Sequence, residues 1–195
     1  MSFMFEYIDR FFYEQISAIT QSVEPLTPYL AETSQLLAIT LENKNNIFLI
    51  ASPKLEAIAA HFVEQMRASS CFERPILPVF FVNTLIKRPS AANGDIGYEY
   101  AQTLQTLCKD NDIIIAFVDD DDEHPLMPCW QFGDPHQLTK VLICAHHDHP
   151  FKDTLNSHDI HINLHADNSN TYTNMLFIVC NVLTQLVERH LFNHE

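Results

Sequence analysis

Apolar positions recur at helical spacing near the start of the chain, at Phe5, Ile8, Phe12, Ile16 and Ile19 and again at Leu30, Leu36, Leu37 and Leu41. With Pro25 and Pro28 between the two sets, the pattern predicts two N-terminal helices within residues 3–42. The period then changes. Ile47-Phe48-Leu49-Ile50-Ala51 is a continuous apolar run behind the turn-like Asn43-Lys44-Asn45-Asn46, which fits a strand buried on both faces. Ser52-Pro53 reads as an N-cap followed by proline at the first helical position, with Ile58, Phe62 and Met66 giving residues 54–68 an apolar stripe. The alternation continues with a strand over 76–82, a helix over 97–109 and strands over 112–118, 140–145 and 160–164. Tyr172 to Leu191 contains neither Gly nor Pro and repeats apolar residues at Met175, Val179, Val182, Leu183, Leu186 and Val187, so a long amphipathic helix is expected. Strands apolar on both faces that alternate with helices imply an α/β fold, an open parallel sheet covered by helices. No repeat, low-complexity segment or linker divides the chain, and one domain over 1–195 that includes the N-terminal helical segment is expected.

Composition narrows the chemistry. The 195 residues include only three glycines, Gly94, Gly97 and Gly133, where average usage would give roughly fourteen. A Walker loop or a G-x-G-x-x-G turn needs glycine so that backbone can approach phosphate, and no segment offers that pattern. The formal net charge of −14 argues against wrapping nucleic acid or lying on a membrane surface, because both require Lys and Arg to neutralise phosphates. No uninterrupted apolar run approaches the roughly 18–20 residues that span a bilayer. The opening Met1-Ser2-Phe3-Met4-Phe5-Glu6 lacks a basic region followed by an apolar one, so a cytoplasmic location is expected. Cys71, Cys108, Cys129, Cys144 and Cys180 are odd in number and form no C-x-x-C pair, consistent with reduced and mostly buried thiols.

Ligands of open parallel sheets lie beyond the carboxyl ends of the strands, which directs attention to residues 51–56 and 118–125. In the first loop Pro53 removes a backbone donor where an anion would require one. The second carries Asp119-Asp120-Asp121-Asp122-Glu123. Each acid about 6 Å from a phosphate charge costs roughly 0.7 kcal/mol in water, so the run disfavours an anionic substrate. The same acids suit either a hard divalent cation or a solvated loop; the spacing of a calcium loop, with its glycine, is absent. His146, His147 and His149 with His158, His161 and His165, together with Asp148 and Asp167, form a second cluster, read as exposed polar histidines or as an adventitious zinc or nickel site. His161 alternates with Ile160 and Ile162, which puts its side chain on the opposite face of a strand. No Ser-His-Asp or Cys-His constellation can be assigned from spacing alone.

Asn46-Ile47-Phe48-Leu49-Ile50, Ala59-Ala60-His61-Phe62 and Phe72-Glu73-Arg74-Pro75-Ile76-Leu77-Pro78 together resemble the first strand, first sheet helix and E-R-P-x-L-P segment of the sugar-isomerase (SIS) domain family. Asn83-Thr84, Glu99-Tyr100 and the closing Leu186-Val187-Glu188-Arg189-His190-Leu191-Phe192-Asn193-His194 extend the likeness over nearly the whole chain. The resemblance implies a flavodoxin-like sheet and two functional branches, phosphoheptose isomerases and DiaA-like partners of the initiator DnaA. The family's G-N-G-x-S phosphate loop falls on Ala51, Ser52, Pro53, Lys54 and Leu55, without either glycine or the binding serine. Its S-T-x-G-x-S loop falls on Val118 to Glu123, where the hydroxyls have become apolar or acidic. Of the isomerase branch's acid-base and metal-binding positions His61 survives, while Gln65, Thr173 and Asn181 replace the others; an amide is no general base. No catalytic, cofactor or metal residue is therefore assigned, and His61 is expected to be a structural residue of its helix. The DiaA-like branch implies instead a non-catalytic homotetramer that binds the N-terminal domain of DnaA, without direct contact to nucleic acid or membrane. Leu191 and Phe192 stand where that branch makes its partner contact. The alternative is a sugar-phosphate isomerase or sensor with a remodelled site, with Lys54 at a helix N-terminus as its anion contact.

Overall fold

The structure, a computed structural model, describes residues 2–68, 73–85, 96–119, 126–132, 138–146 and 149–192. Five parallel strands, β1 (Ile47–Ala51), β2 (Val79–Phe81), β3 (Ile113–Phe117), β4 (Thr139–Cys144) and β5 (Ile160–Asn163), lie in the order β2-β1-β3-β4-β5. Among the described residues six α-helices accompany them: α1 (Ser2–Glu42), α2 (Glu56–Arg67), α3 (Val82–Leu85), α4 (Ile96–Leu107), α5 (Met127–Phe132) and α6 (Ser169–Phe192). This is the open parallel sheet covered by helices that the strand and helix alternation predicts, in the flavodoxin-like order that the resemblance implies.

Register explains why the strands read as unbroken apolar runs. Leu49 pairs with Ile115, and Ile115 with Val141, so one set of alternate residues lines up across the sheet. That set is buried with Leu30, Leu37 and Leu41 of α1, Phe62 and Met66 of α2, and Leu176, Val179 and Leu183 of α6. The other set, including Phe48, Ile114 and Leu142, is buried against Tyr100 and Leu104 of α4 and Cys129 and Trp130 of α5. Both faces of β1 and β3 are thus fully enclosed.

Several expectations need correction. The N-terminal segment is one helix of 41 residues, with Pro25 and Pro28 inside it. Each proline deprives one upstream carbonyl of an amide donor, yet the helix continues because Leu26, Leu30, Leu37 and Leu41 are buried against the sheet layer and α6. Its first half differs: Phe5, Ile8, Phe12 and Ile16 of the expected stripe are exposed, as is Phe3. Ser52 caps no helix; Pro53–Leu55 is a 3-10 turn and the α-helix begins only at Glu56. The expected strand over 76–82 keeps only Val79–Phe81, since Val82 already starts α3. Helix α5 escaped the sequence pattern because six residues are too few to show a period. By length and mean hydropathy α6 could cross a bilayer; here Met175, Leu176, Val179, Cys180, Leu183 and Val187 are buried.

At the amino end of the sheet Asp112 is fully buried and accepts from the Asn46 amide (2.7 Å), Asn46 Nδ2 (3.2 Å) and the Lys109 amide (2.8 Å). The carboxylate thereby satisfies two backbone donors at the entries to β1 and β3 that no ladder reaches. Asp112→Ala strands both, and a loss of about 2 kcal/mol or more in urea unfolding is expected.

Candidate functional site

The carboxyl ends of β1 and β3 meet where the fold class places ligands. The loop after β1 is closed from within. The carboxamide of Asn83, just past β2, donates from Nδ2 to Ala51 O (3.0 Å) and accepts from the Ala51 amide at Oδ1 (3.4 Å), while Nδ2 also reaches Glu56 Oε1 (3.0 Å). The Ser52 amide donates to Phe117 O and the Leu55 amide to Ser52 O. Pro53 has no donor. The amides at 51, 52 and 55 are therefore engaged inside the fold. The Ser52 hydroxyl, instead of capping a helix, accepts from the Asp119 amide at 3.3 Å and ties the two strand-end loops together.

Lys54 Nζ lies 3.4 Å from Asp119 Oδ2, where the lysine side chain is 62% exposed and the aspartate 13%. The carboxylate supplies an internal anion beside the one cation of the first loop. His149 closes the floor: its Nδ1 accepts from the Phe151 amide (3.3 Å), which puts the proton on Nε2 to donate to Asp119 O (2.9 Å). The Tyr172 hydroxyl, 2.7 Å from Val118 O and 3.1 Å from Ile143 O, fastens the first turns of α6 to the ends of β3 and β4. Of the acidic run only Asp119 lies within the described residues; Asp120 to Glu123 lie outside them.

The four positions compared with isomerase acid-base and metal groups sit on facing helices. His61 and Gln65 are one turn apart on α2, and Thr173 and Asn181 two turns apart on α6. Between the latter pair stands Phe177, whose ring stacks on the His61 imidazole with centroids 5.1 Å apart and planes 20° apart. His61 Nε2 is buried with no hydrogen-bond partner among the described residues. The pairing of α2 with α6 thus lays an aromatic ring over the His61 imidazole. Of the two structural roles expected for His61, packing or a hydrogen bond, the structure displays the stacking on Phe177. Among the described residues no three His, Cys, Asp or Glu side chains gather in a way that could hold a metal ion.

The histidines of residues 146–165 do not all lie exposed, although one reading expected it. His149 is buried as described, and His165 takes a left-handed backbone at φ 49°. His158 Nε2 sits 3.6 Å from Asp159. His161 points away from its isoleucine neighbours, as alternation requires, and places Nε2 3.1 Å from Cys144 Sγ. Sequence reading missed this thiol-imidazole pair, since nothing in the spacing links β4 to β5. The Sγ also lies 2.9 Å from His146 O, the natural acceptor for its proton, so the sulfur is a donor there and an acceptor from His161. His147, Asp148 and Cys71 lie outside the described residues.

At the far end of α6, Leu191 and Phe192 are half-buried and pack against the core. The Phe192 ring lies over the guanidinium of Arg74, with the guanidinium carbon 5.6 Å from the ring centroid. Arg74 in turn pairs with Glu188 at 3.0 Å. Asn193, His194 and Glu195, the polar neighbours of that pair, lie outside the described residues.

No family model matches the chain. It is 25% identical over 190 residues to a phosphoheptose isomerase of Helicobacter pylori, covering 96% of this chain and 97% of the relative. It is 24% identical over 194 residues to the DnaA initiator-associating protein DiaA of Salmonella paratyphi B, covering 98% and 99%. Among solved structures, a phosphoheptose isomerase from Francisella tularensis superposes with a TM-score of 0.83 at 18% identity, over 95% of this chain and 98% of that one. A phosphoheptose isomerase from Neisseria gonorrhoeae gives 0.80 at 13%, over 95% and 98%. The chain therefore has the fold of the sugar-isomerase domains. Within that fold class it is similar over nearly its full length to the Helicobacter phosphoheptose isomerase and to the Salmonella DiaA protein.

Burial pushes the thiols up. Cys108 rises from 9.0 to about 12, chiefly by desolvation and then by the charge of Asp112. Cys129 and Cys180 rise further, again chiefly by desolvation. The folded chain then holds thiol protons that an unfolded chain releases above pH 9, so this contribution is complete below pH 9 and is lost as pH rises toward about 12. The urea midpoint should fall steadily over that interval; a flat profile would contradict the burial of these thiols.

Proposed function

We propose that the chain is a DiaA-like, non-catalytic scaffold, one sugar-isomerase domain over residues 1–195, that binds the N-terminal domain of DnaA as a homotetramer and regulates DnaA assembly at the replication origin. The observation that carries this reading is the self-filled strand-end site: Asp119 pairs with Lys54, Asn83 occupies Ala51, and Pro53 offers no donor. A sugar phosphate entering there would displace an internal anion while gaining few backbone amides. The likeness to the Salmonella DnaA initiator-associating protein over nearly the full length supports the partner. Leu191 and Phe192 provide an apolar pair at a helix end, a suitable anchor for a protein interface.

The exposed half of α1 supports self-association. Phe3 and Phe12 are 76% and 62% exposed, with Phe5, Ile8 and Ile16 beside them, a density of apolar surface that monomers seldom leave in water. Beside it, an apolar groove of about 190 Å³ runs between α1 and α6, lined by Ile19, Val23, Leu26, Met175 and Val182. Several identical anchors on one symmetric core would raise the local concentration of the bound initiator.

The second reading, a remodelled isomerase or sugar-phosphate sensor, draws on His61 Nε2, a buried ring nitrogen without a hydrogen-bond partner among the described residues, and on the Helicobacter relative.

Light scattering on the purified chain should give four times the 22.5 kDa subunit; a monomer refutes the scaffold. Biolayer interferometry should show the DnaA N-terminal domain binding at about micromolar affinity or tighter, weakened by about 1.4 kcal/mol or more in Phe192→Ala. Equal binding by wild type and variant removes the anchor. Thermal stabilisation by sedoheptulose 7-phosphate, with no DnaA binding, would favour the second reading.

A further inference from the structure

Arg74 lies between the end of α2 and the start of β2, a position where an exposed arginine would be unremarkable, yet its side chain is 1% exposed. Its fork is used on every side. Nε and Nη2 both donate to Glu188 Oε1, at 3.1 and 3.0 Å. Nη2 also faces Gln65 O (3.1 Å) and Met66 O (3.0 Å), and Nη1 faces Arg67 O (3.2 Å) and Pro75 O (3.4 Å). The carbonyls of 65, 66 and 67 belong to the last turn of α2, where a helix has no further amides of its own to offer. Arg74 is therefore a side-chain cap for α2, and it matches the negative end of that helix.

The carbon of the same guanidinium lies over the Phe192 ring, 5.6 Å from its centroid. Glu188 and Phe192 are four residues apart on α6, so they share one side of its final turn. One buried arginine thus holds both the carboxylate and the aromatic ring of that turn, and locks them to α2 and to the strand-entry segment 73–78. A terminal turn is ordinarily where a helix frays. Here the ring is fixed before any partner arrives.

We propose that Arg74, together with Glu188, is the positioning residue of the partner-binding surface: it presets Phe192 for insertion into an apolar recess on a protein partner. This rests on the reading of Leu191 and Phe192 as the contact with the DnaA N-terminal domain. Fixing the ring in advance removes part of the ordering cost of association, so the arginine raises affinity without touching the partner. Lysine cannot replace it, because an ammonium offers neither the planar shelf nor the fork that joins Glu188 to three helix-end carbonyls.

The test is a double-mutant cycle on the full chain, read by interferometry against the DnaA N-terminal domain, with Arg74→Lys, Phe192→Ala and the double variant. Arg74→Lys is expected to weaken binding about five-fold or more, and to have no further effect once Phe192 is alanine. A general loss of fold would weaken binding in both backgrounds, and that result overturns the proposal. So does wild-type affinity in Arg74→Lys. Glu188→Gln provides the same cycle with a smaller change should Arg74→Lys prove too unstable to purify, and the same pattern is expected. Failure of the wild-type chain to bind refutes the partner reading itself; binding by wild type with an uncoupled Arg74 refutes the positioning role alone.

Discussion

The central strands β1 and β3 are apolar on both sides, and that constraint organises the rest. A parallel strand cannot turn one face to water, so each face of β1, β3 and β4 must be roofed by helices. Leu49, Ile115 and Val141 commit one face to α1, α2 and α6; Phe48, Ile114 and Leu142 commit the other to α4 and α5. Once both roofs are in place, the only ends of the strands that remain available are the rims. Chemistry and recognition are confined to them.

The two rims are finished differently. At the amino rim, carboxylates serve the backbone: Asp112 collects donors at the entries to β1 and β3, and Asp159 accepts the Lys140 amide (2.8 Å) at the entry to β4. At the carboxyl rim, side chains knit loop to loop, with Ser52 joined to Asp119, Lys54 to Asp119, and Tyr172 to the ends of two strands. A rim that in this fold class receives ligands is here braced largely by its own residues. Besides Arg74, the interior carries the cation of Lys140, fully buried on the α5 side with its Nζ 5.1 Å from the centroid of the Trp130 ring, an arrangement in which the ring quadrupole offsets part of the desolvation.

Strands were legible in the sequence because burial on both faces leaves an unbroken apolar run, and α6 because twenty residues without Gly or Pro show their period. The prolines of α1 misled because local backbone rules were outweighed by packing of Leu26 and Leu30 on either side of Pro28. Ser52 misled for a related reason: its hydroxyl found a donor 67 positions away instead of one in the next turn. At the candidate site the sequence displays the proline at 53 and the acid at 119, which need no coordinates to recognise. The tertiary contacts were not legible. The Phe177 ring over His61, the carboxamide of Asn83 on Ala51 and the guanidinium at Phe192 join residues far apart in the chain, and residue spacing carries no trace of them.

The sheet's margins have a consequence of their own. Its outermost strands, β2 and β5, are three and four residues long. An edge that short exposes too little unpaired ladder for a foreign strand to zip onto. Lateral growth of the sheet from molecule to molecule is thereby discouraged at both borders, and contacts with other chains are left to helical surfaces, where side chains rather than backbone decide who is admitted.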